Sequence, residues 1–277
     1  MAGRDDMTVT NADAASGAGA ASVPALEARG LEASWDGTPV VADVSLALEP
    51  GEVSCLVGRS GCGKTTLFHA LAGLTRPTAG QVLLHGREVT GVPGSVSYML
   101  QKDLLLPNRT ILDNVCLPLL LSGMPKRAAR DKAKPLLSRF GLEECADRWP
   151  SELSGGMRQR AALLRTYLMD NDVVLLDEPF SALDAITRGE VRSWFCGMAA
   201  ELGLTALVIT HDVDESVMMS DRIFVMRGNP QAHVPSTICG VVEVERTCSA
   251  AEAQDAGFDL TPQFISAKAA VKELLGS

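Results

Sequence analysis

Two stretches of this 277-residue sequence carry groups whose types and spacing suit phosphate chemistry. Gly58-Arg59-Ser60-Gly61-Cys62-Gly63-Lys64-Thr65-Thr66 fits the pattern G-x-x-x-x-G-K-[ST]. Such a loop, set between a strand and a helix, turns backbone N–H groups and the positive helix end toward one point where a polyphosphate can sit. Glycines at 58, 61 and 63 let the backbone close around phosphate without Cβ clashes. Lys64 is placed to reach the β- and γ-phosphates of a nucleotide, and the Thr65 hydroxyl to ligate Mg2+. The second stretch, Val173 to Glu178, is an apolar run that closes on two carboxylates. At such a strand end Asp177 can hold Mg2+, and Glu178 can orient or deprotonate an attacking water. The same pair would also suit a helix N-terminus, which Pro179 permits.

Three further features each admit two readings. In Leu153-Ser154-Gly155-Gly156-Met157-Arg158-Gln159-Arg160, Ser154 suits an N-cap and the two glycines leave the first helical N–H groups open to an anion. The plainer reading is a capped helix with a flexible start. His211 closes the apolar run Thr205 to Thr210, on the edge where α/β sheets bind ligands; it is otherwise a structural histidine. Trp35 either stacks on an adenine ring beside the phosphate loop or fills the core. The seven cysteines form no C-x-x-C pair and are odd in number, which supports neither a zinc site nor a disulfide framework. Cys62 is either an oxidation-sensitive point in the loop or a filler.

The elements that must position these groups are legible in outline. Residues 1 to about 25 are rich in Ala, Gly, Ser, Asp and Thr, without the basic start and apolar block of a secretory signal, and read as a disordered tail. Leu26 to Ser34 opens the ordered chain, and Val44, Leu46 and Leu48 alternate as a half-buried strand. Pro50-Gly51 turns into the strand Val53 to Val57, and Leu67 to Ala72 begins the helix after the loop. Gln81 to Leu84 and Ser95 to Leu100 read as strands, the second running into Gln101. From 102 to about 166 the pattern is helical and broken by prolines, which marks an inserted helical subdomain. There Leu136, Leu137, Phe140 and Leu142 have helical spacing, and Gly141 and Trp149-Pro150 mark helix ends. After Gly228-Asn229-Pro230, Val242 and Val244 suggest a strand. Thr261-Pro262 opens a last helix with Phe264, Ile265, Val271, Leu274 and Leu275 as its apolar stripe. A net charge of −9 argues against a nucleic-acid partner, and no apolar run is long enough to span a membrane.

Taken together, the phosphate loop at 58–66, Gln101, LSGGMRQR at 153–160, VVLLDEP at 173–179, SALD at 181–184 and His211 resemble, in order and spacing, the ATP-binding-cassette ATPases. The resemblance covers about residues 26–228. It implies an α/β P-loop NTPase core with a mixed sheet, flanking helices, an antiparallel β subdomain and an inserted helical subdomain at about 102–166. Residues 229–277 would be a short extension without a regulatory domain. It also implies a head-to-tail dimer, with a second ATPase subunit, another copy or a close relative, completing each of two ATP sites. Gly58, Ser60, Gly61, Cys62, Gly63, Lys64, Thr65 and Thr66 would hold phosphate in one subunit, and Ser154, Gly155 and Gly156 of the other would cover it. By the same resemblance Thr65, Gln101 and Asp177 serve Mg2+ and Glu178 is the general base. His211 is the switch residue, Gln101 the sensor, Asp184 part of the loop at the dimer interface, and Trp35 the adenine-stacking aromatic.

The wording SGCGKTT, DEPFSALDAITR and THDVDESVMMSDRIFVM is similar to importer subunits, and LLLPNRTILDNVCLPL to those for nitrate, sulfonates and taurine. Asn108 departs from the tryptophan common in that group, and Met157 from the commoner glutamine. The expected partners are two transmembrane permease subunits and, through them, a solute-binding protein, at the cytoplasmic face of a membrane. The alternatives are a soluble relative acting in DNA repair or on ribosomes, which would usually carry two cassettes, zinc modules or coiled coils, and an exporter or lipoprotein-release subunit.

Overall fold

The computed structural model describes residues 23–246, 250, 252–253 and 257–276. The expected tail therefore lies outside the described residues up to position 22. Ala25, at its expected end, is already buried, and its N–H donates to the Leu48 carbonyl at 2.8 Å.

The strands in chain order are β1 (Leu26–Trp35), β2 (Thr38–Leu48), β3 (Val53–Gly58), β4 (Ala79–Leu84), β5 (Arg87–Glu88), β6 (Ser97–Met99), β7 (Val173–Asp177), β8 (Thr205–Thr210), β9 (Arg222–Asn229) and β10 (Val234–Glu243). They form one sheet in the order β5-β4-β1-β2-β10-β9-β3-β8-β7-β6. The run β9-β3-β8-β7-β6 is parallel, and β1, β2, β4 and β5 pair antiparallel. Every residue of β3, β7 and β8 is buried. That is why these strands read as unbroken apolar runs, not as alternations: both faces of a parallel sheet are covered. In β3, Cys55 and Val57 join a core shared with the helices, while Leu56 joins a second core under the antiparallel strands.

The helices are α1 (Lys64–Leu71), α2 (Ile111–Val115), α3 (Leu117–Leu121), α4 (Lys126–Ala133), α5 (Leu136–Arg139), α6 (Gly155–Tyr167), α7 (Ala185–Leu202), α8 (Val213–Met219) and α9 (Pro262–Leu275). Helices α2 to α6 fill the stretch between β6 and β7, where the helical subdomain is expected. The loop that enters it is pinned by the fully buried Asn114. Its Nδ2 donates to the carbonyls of Leu106, Arg109 and Thr110 at 3.0–3.1 Å, and its Oδ1 accepts from Leu106 N–H at 2.6 Å. Leu136 to Leu142 forms only one turn, α5, because Gly141 leaves helical space at φ 64°.

The chain after 228 differs most from expectation. Strand β10 starts at Val234, well before Val242, and Val244 lies beyond its end. It is not appended to the sheet but sits inside it, antiparallel to β9 and bridged in parallel to β2 at Ser236↔Val41. Two register shifts against β9 break the alternation that would have announced it. In α9, Thr261 caps the helix as expected, its Oγ1 accepting from Phe264 N–H at 3.3 Å. Its buried face is Phe264, Ala267 and Val271, with Leu274 and Leu275 half-buried; Ile265 is off the stripe and 60% exposed. An i, i+3, i+7 face cannot include i+1.

Gly228 makes the insertion of β10 possible: a Cβ there would stand 2.2 Å from Ser236 Oγ and 2.4 Å from Ser236 Cα. No rotamer change relieves a clash with backbone. Gly228→Ala is therefore expected to destabilise the chain by about 1–3 kcal/mol, read as a lower urea midpoint. An unchanged midpoint would mean that β10 does not pack on β9 as described.

Candidate functional site

Parallel strands all present their carboxyl ends on the same edge, and here the registers Val57↔Thr210, Asp177↔Ile209 and Met99↔Leu176 align four such ends. The loops that follow carry Gly58–Lys64, Gln101, Glu178 and His211. The site is built by that alignment.

The phosphate loop closes between β3 and α1, with Gly61 at φ 77° and Gly63 at φ 96°, where only glycine is at ease. Its first and last glycines are demanded by neighbours as much as by a ligand. A Cβ on Gly58 would stand 2.7 Å from the Met226 carbonyl oxygen and 2.8 Å from Cys62 Sγ; one on Gly63 would stand 2.4 Å from Val40 Cγ1. Lys64 is buried, and its Nζ arches back across the loop to donate to the carbonyls of Gly58 at 2.8 Å and Arg59 at 3.1 Å. Helix α1 begins at Lys64, so its unpaired first N–H groups belong to the same cradle. Cys62 is buried, and burial pushes its thiol up, away from reactive thiolate, which favours the filler reading.

Beside the loop, Thr65 Oγ1 donates to Asp177 Oδ2 at 3.1 Å, and Tyr98 OH donates to the same oxygen at 3.3 Å. Asp177 is 6% exposed, and desolvation raises its pKa even against those two hydrogen bonds. The Tyr98 phenol is likewise pushed up, first by burial and then by Asp177. Glu178 is the first residue past β7 and turns at φ 45°, so its carboxylate leaves the strand in another direction. Its Oε2 accepts from Gln101 Nε2 at 3.0 Å and lies 3.4 Å from His211 Nδ1. The acid pair thus ends a strand and opens a turn, closed by Ser181 N–H on the Glu178 carbonyl at 3.2 Å; it does not begin a helix.

A cavity of about 350 Å3 runs along this edge, lined by Trp35, Ser60, Gly61, Lys64, Thr66 and Glu178 among others. Trp35 is 62% exposed, which removes the core alternative and leaves its ring free at the cavity wall. The donor set fits a nucleotide triphosphate with a divalent cation: a lysine ammonium and backbone N–H groups for phosphate, and a hydroxyl with a buried carboxylate for the metal.

Ser154, Gly155, Gly156 and Asp184 form a second set that does not line this cavity. Ser154 is exposed and caps α6, its Oγ accepting from Met157 N–H at 3.3 Å. The glycines allow close packing: a Cβ on Gly156 would stand 2.8 Å from Thr187 Cγ2, and one on Gly155 3.1 Å from Leu183 Cδ2. Asp184 caps α7, accepting from the N–H groups of Ile186 at 3.2 Å and Thr187 at 3.1 Å, and the Thr187 side chain together with these bonds holds its carboxyl below the usual range. The two helix starts are therefore locked to each other, apart from the phosphate loop.

Sequence reasoning missed Tyr98. It stands on β6 shortly before Gln101 and packs edge-on against Phe68 and His69, with ring centroids 6.2 and 5.8 Å away. The period-two alternation of a three-residue strand is too short to single it out.

A family model described as "ABC transporter" matches residues 41–181. Over 197 residues the chain is 45% identical to the Fe(3+) ions import ATP-binding protein FbpC of Rhizobium etli, covering 70% of this chain and 56% of that protein. It is 41% identical over 202 residues to the aliphatic sulfonates import ATP-binding protein SsuB 2 of Agrobacterium fabrum, covering 73% and 76%. The chain thus spans about half the length of its iron-import relatives. Among solved structures it is similar to cbiO1 from Clostridium perfringens, part of the ABC transporter complex cbiONQ, at a TM-score of 0.67 and 26% identity over 76% of this chain and 90% of that one.

A buried, desolvated carboxylate has a testable signature. With its folded pKa above the unfolded 3.8, Asp177 favours the fold below that value, and the contribution is lost as pH rises through the raised pKa. Asp177→Asn is therefore expected to raise the melting temperature at pH 7, with the gain closing as pH falls toward 4. A lower melting temperature at pH 7 would show that the Thr65 and Tyr98 bonds outweigh desolvation.

Proposed function

Since this chain belongs to the ABC transporter family, we propose that it is the ATP-hydrolysing subunit of an importer of a small solute, working as a dimer. One observation carries the reading: the chain holds two anion-suited helix starts, α1 with the phosphate loop and α6 with Ser154, and only the first lines the cavity. A single triphosphate gripped by both requires a second copy, whose Ser154 set covers the phosphate loop of the first. Each chain then contributes half of two sites.

In this reading ATP enters beside Trp35, and Lys64 exchanges its two loop carbonyls for β- and γ-phosphate oxygens. Thr65 and Asp177 would hold Mg2+, which offsets the charge of the phosphate chain. Glu178 accepts the proton of the attacking water, and water oxygen bonds the γ-phosphorus as the bond to ADP breaks. Gln101 and His211 hold the Glu178 carboxylate from two sides, so the base is oriented before the water arrives. Loss of phosphate removes the bridge between the two copies and they separate. The motion does work only when a partner with two states follows it.

By resemblance to the importer subunits, that partner is a pair of membrane-spanning subunits, which would hold the chain at the cytoplasmic face. An apolar groove of about 520 Å3, lined by Tyr98, Met99, Leu119, Leu121, Met124 and Met169 among others, lies beside the Gln101 loop and suits their docking. Among the described residues no helix is long and apolar enough to cross a membrane. Relatives similar to this degree carry names with cargoes as unlike as ferric ion and sulfonates. We propose that cargo choice rests with the other subunits.

Two substitutions test the parts separately. Glu178→Gln is expected to lower kcat by about 100- to 10,000-fold, with ATP affinity kept and an ATP-bound dimer accumulating on a sizing column. Brisk turnover in that variant removes Glu178 as base. Ser154→Asp keeps a good N-cap but puts a negative charge where the partner's γ-phosphate would rest. It is expected to bind ATP as a monomer, form no dimer and show no turnover; wild-type turnover would sink the two-half-site reading.

A further inference from the structure

Arg188 lies in the first turn of α7 and makes contacts that the helix itself does not need. Its Nη2 donates to the carbonyl of Leu183 at 2.9 Å, just before Asp184, and its Nη1 stands 3.9 Å from Asp212 Oδ2, just after His211. One planar guanidinium thus spans the loop that carries Asp184 and the loop that carries His211. Leu183 is also the residue packed beside Gly155 at the start of α6.

The His211 loop is pinned from behind as well. Thr210 Oγ1 accepts from Asp212 N–H at 3.1 Å and donates to the Glu215 carboxylate. Asp212 Oδ1 in turn accepts from the N–H groups of Asp214 at 2.9 Å and Glu215 at 3.1 Å. The backbone on both sides of His211 is therefore fixed by side chains with no other assigned role. Glu215 is 5% exposed, and burial raises its pKa while Arg192 and Arg188 act in the opposite sense. Its Oε1, together with the Nε atoms of Arg188 and Arg192, is buried without a hydrogen-bond partner. Buried polar atoms left spare are uncommon. Here they leave a charged cluster with hydrogen-bonding capacity in reserve behind the loop that carries His211.

We propose that Arg188 is a positioning residue that links the two half-sites within one chain. The path runs by contact from the Ser154–Gly155 helix start to Leu183, through Arg188 to Asp212, and on to His211, which lies 3.4 Å from Glu178. Engagement of a second copy at the Ser154 and Asp184 loops then sets His211, and with it the base, in the chain's own phosphate-loop site. Glu215 holds the opposite side of the same loop through Thr210. This rests on the reading of the chain as a dimeric ATP hydrolase.

The test uses the full chain with ring-13C-labelled histidine, as wild type, Arg188→Ala and Asp212→Asn. Asn caps helices as well as Asp, so Asp212→Asn keeps α8 while removing the charge that faces Arg188, and it stands in if Arg188→Ala does not fold. The chain has 4 histidines, and His85 and His233 lie outside this network. The expected result without nucleotide is a His211 signal shifted or broadened in both variants, with His85 and His233 unmoved. With ATP and Mg2+, kcat falls about tenfold while KM for ATP stays within about twofold, the signature of a lost transition-state arrangement. A His211 signal identical to wild type, or an unchanged kcat, overturns the proposal. A wild-type chain that hydrolyses no ATP removes the hydrolase reading instead, and the nucleotide-free His211 signal still decides whether Arg188 positions that loop.

Discussion

The whole arrangement depends on the register of four parallel strands. Gly58, Met99, Asp177 and Thr210 end β3, β6, β7 and β8 side by side, so that loops far apart in sequence open on one edge. Because these strands are buried on both faces, their register is strongly specified: a slip of one residue would turn every side chain to the opposite core. The adjacent acids use that same geometry. Asp177, still in the strand, meets Thr65 and Tyr98, whereas Glu178, just past it, meets Gln101 and His211. Two neighbouring carboxylates thereby meet two separate sets of partners.

The site is maintained against local costs. Asp177 sits desolvated with its pKa raised, and Glu178 occupies left-handed backbone space, which costs of the order of 1–3 kcal/mol for a residue other than glycine. Neither would persist on a flexible loop. Both are fixed by β7, whose neighbours β6 and β8 are hydrogen-bonded on either side, and by Glu178 N–H on the Ile209 carbonyl at 3.0 Å. The strain is thus supported by the best-packed part of the molecule, and the reactive groups are held before any ligand arrives.

How much of this was legible in the sequence follows from how local each signal is. The phosphate loop is contiguous, so its pattern alone places Lys64 and Thr65. Ser154 and Thr261 declare themselves as caps because a cap acts within four residues, whereas the cap that Asp184 forms on α7 was not read. Gln101 was reachable only through the resemblance, since nothing near it says that it meets Glu178; His211 was placed at a strand end by the apolar run before it, and only its role came from the resemblance. The glycines were read correctly as necessary but for part of the reason: Gly58 and Gly63 are constrained by Met226, Cys62 and Val40, contacts that exist only after the sheet has formed. Tyr98, Arg188 and Glu215 were not found, because each acts through tertiary partners. Strand β10 was misjudged because its register shifts erase the alternation that a sequence can display, and Ile265 because one residue along a helix turns about 100° off its face.

The partition of the site into two sets bears on why the proposed enzyme would be built this way. A cassette with every ligand of the γ-phosphate on one chain would hydrolyse ATP whenever ATP was bound, and the energy would be lost as heat. Dividing the ligands makes turnover conditional on pairing, and pairing is the motion that a membrane partner can follow. The division is useful only if each half moves as a unit, and the packing provides that. Gly155 and Gly156 let α6 sit directly on Leu183 and Thr187, so the Ser154 helix start cannot shift without carrying the Asp184 loop with it. The Gln101 side is different: it is exposed, tied to Glu178 by a single hydrogen bond, and borders the apolar groove. In the proposed enzyme a rigid half facing the second copy and a looser half beside the docking groove would converge on one carboxylate. There Glu178 would therefore be the point at which both conditions for hydrolysis, a paired copy and an engaged partner, are imposed on the same proton transfer.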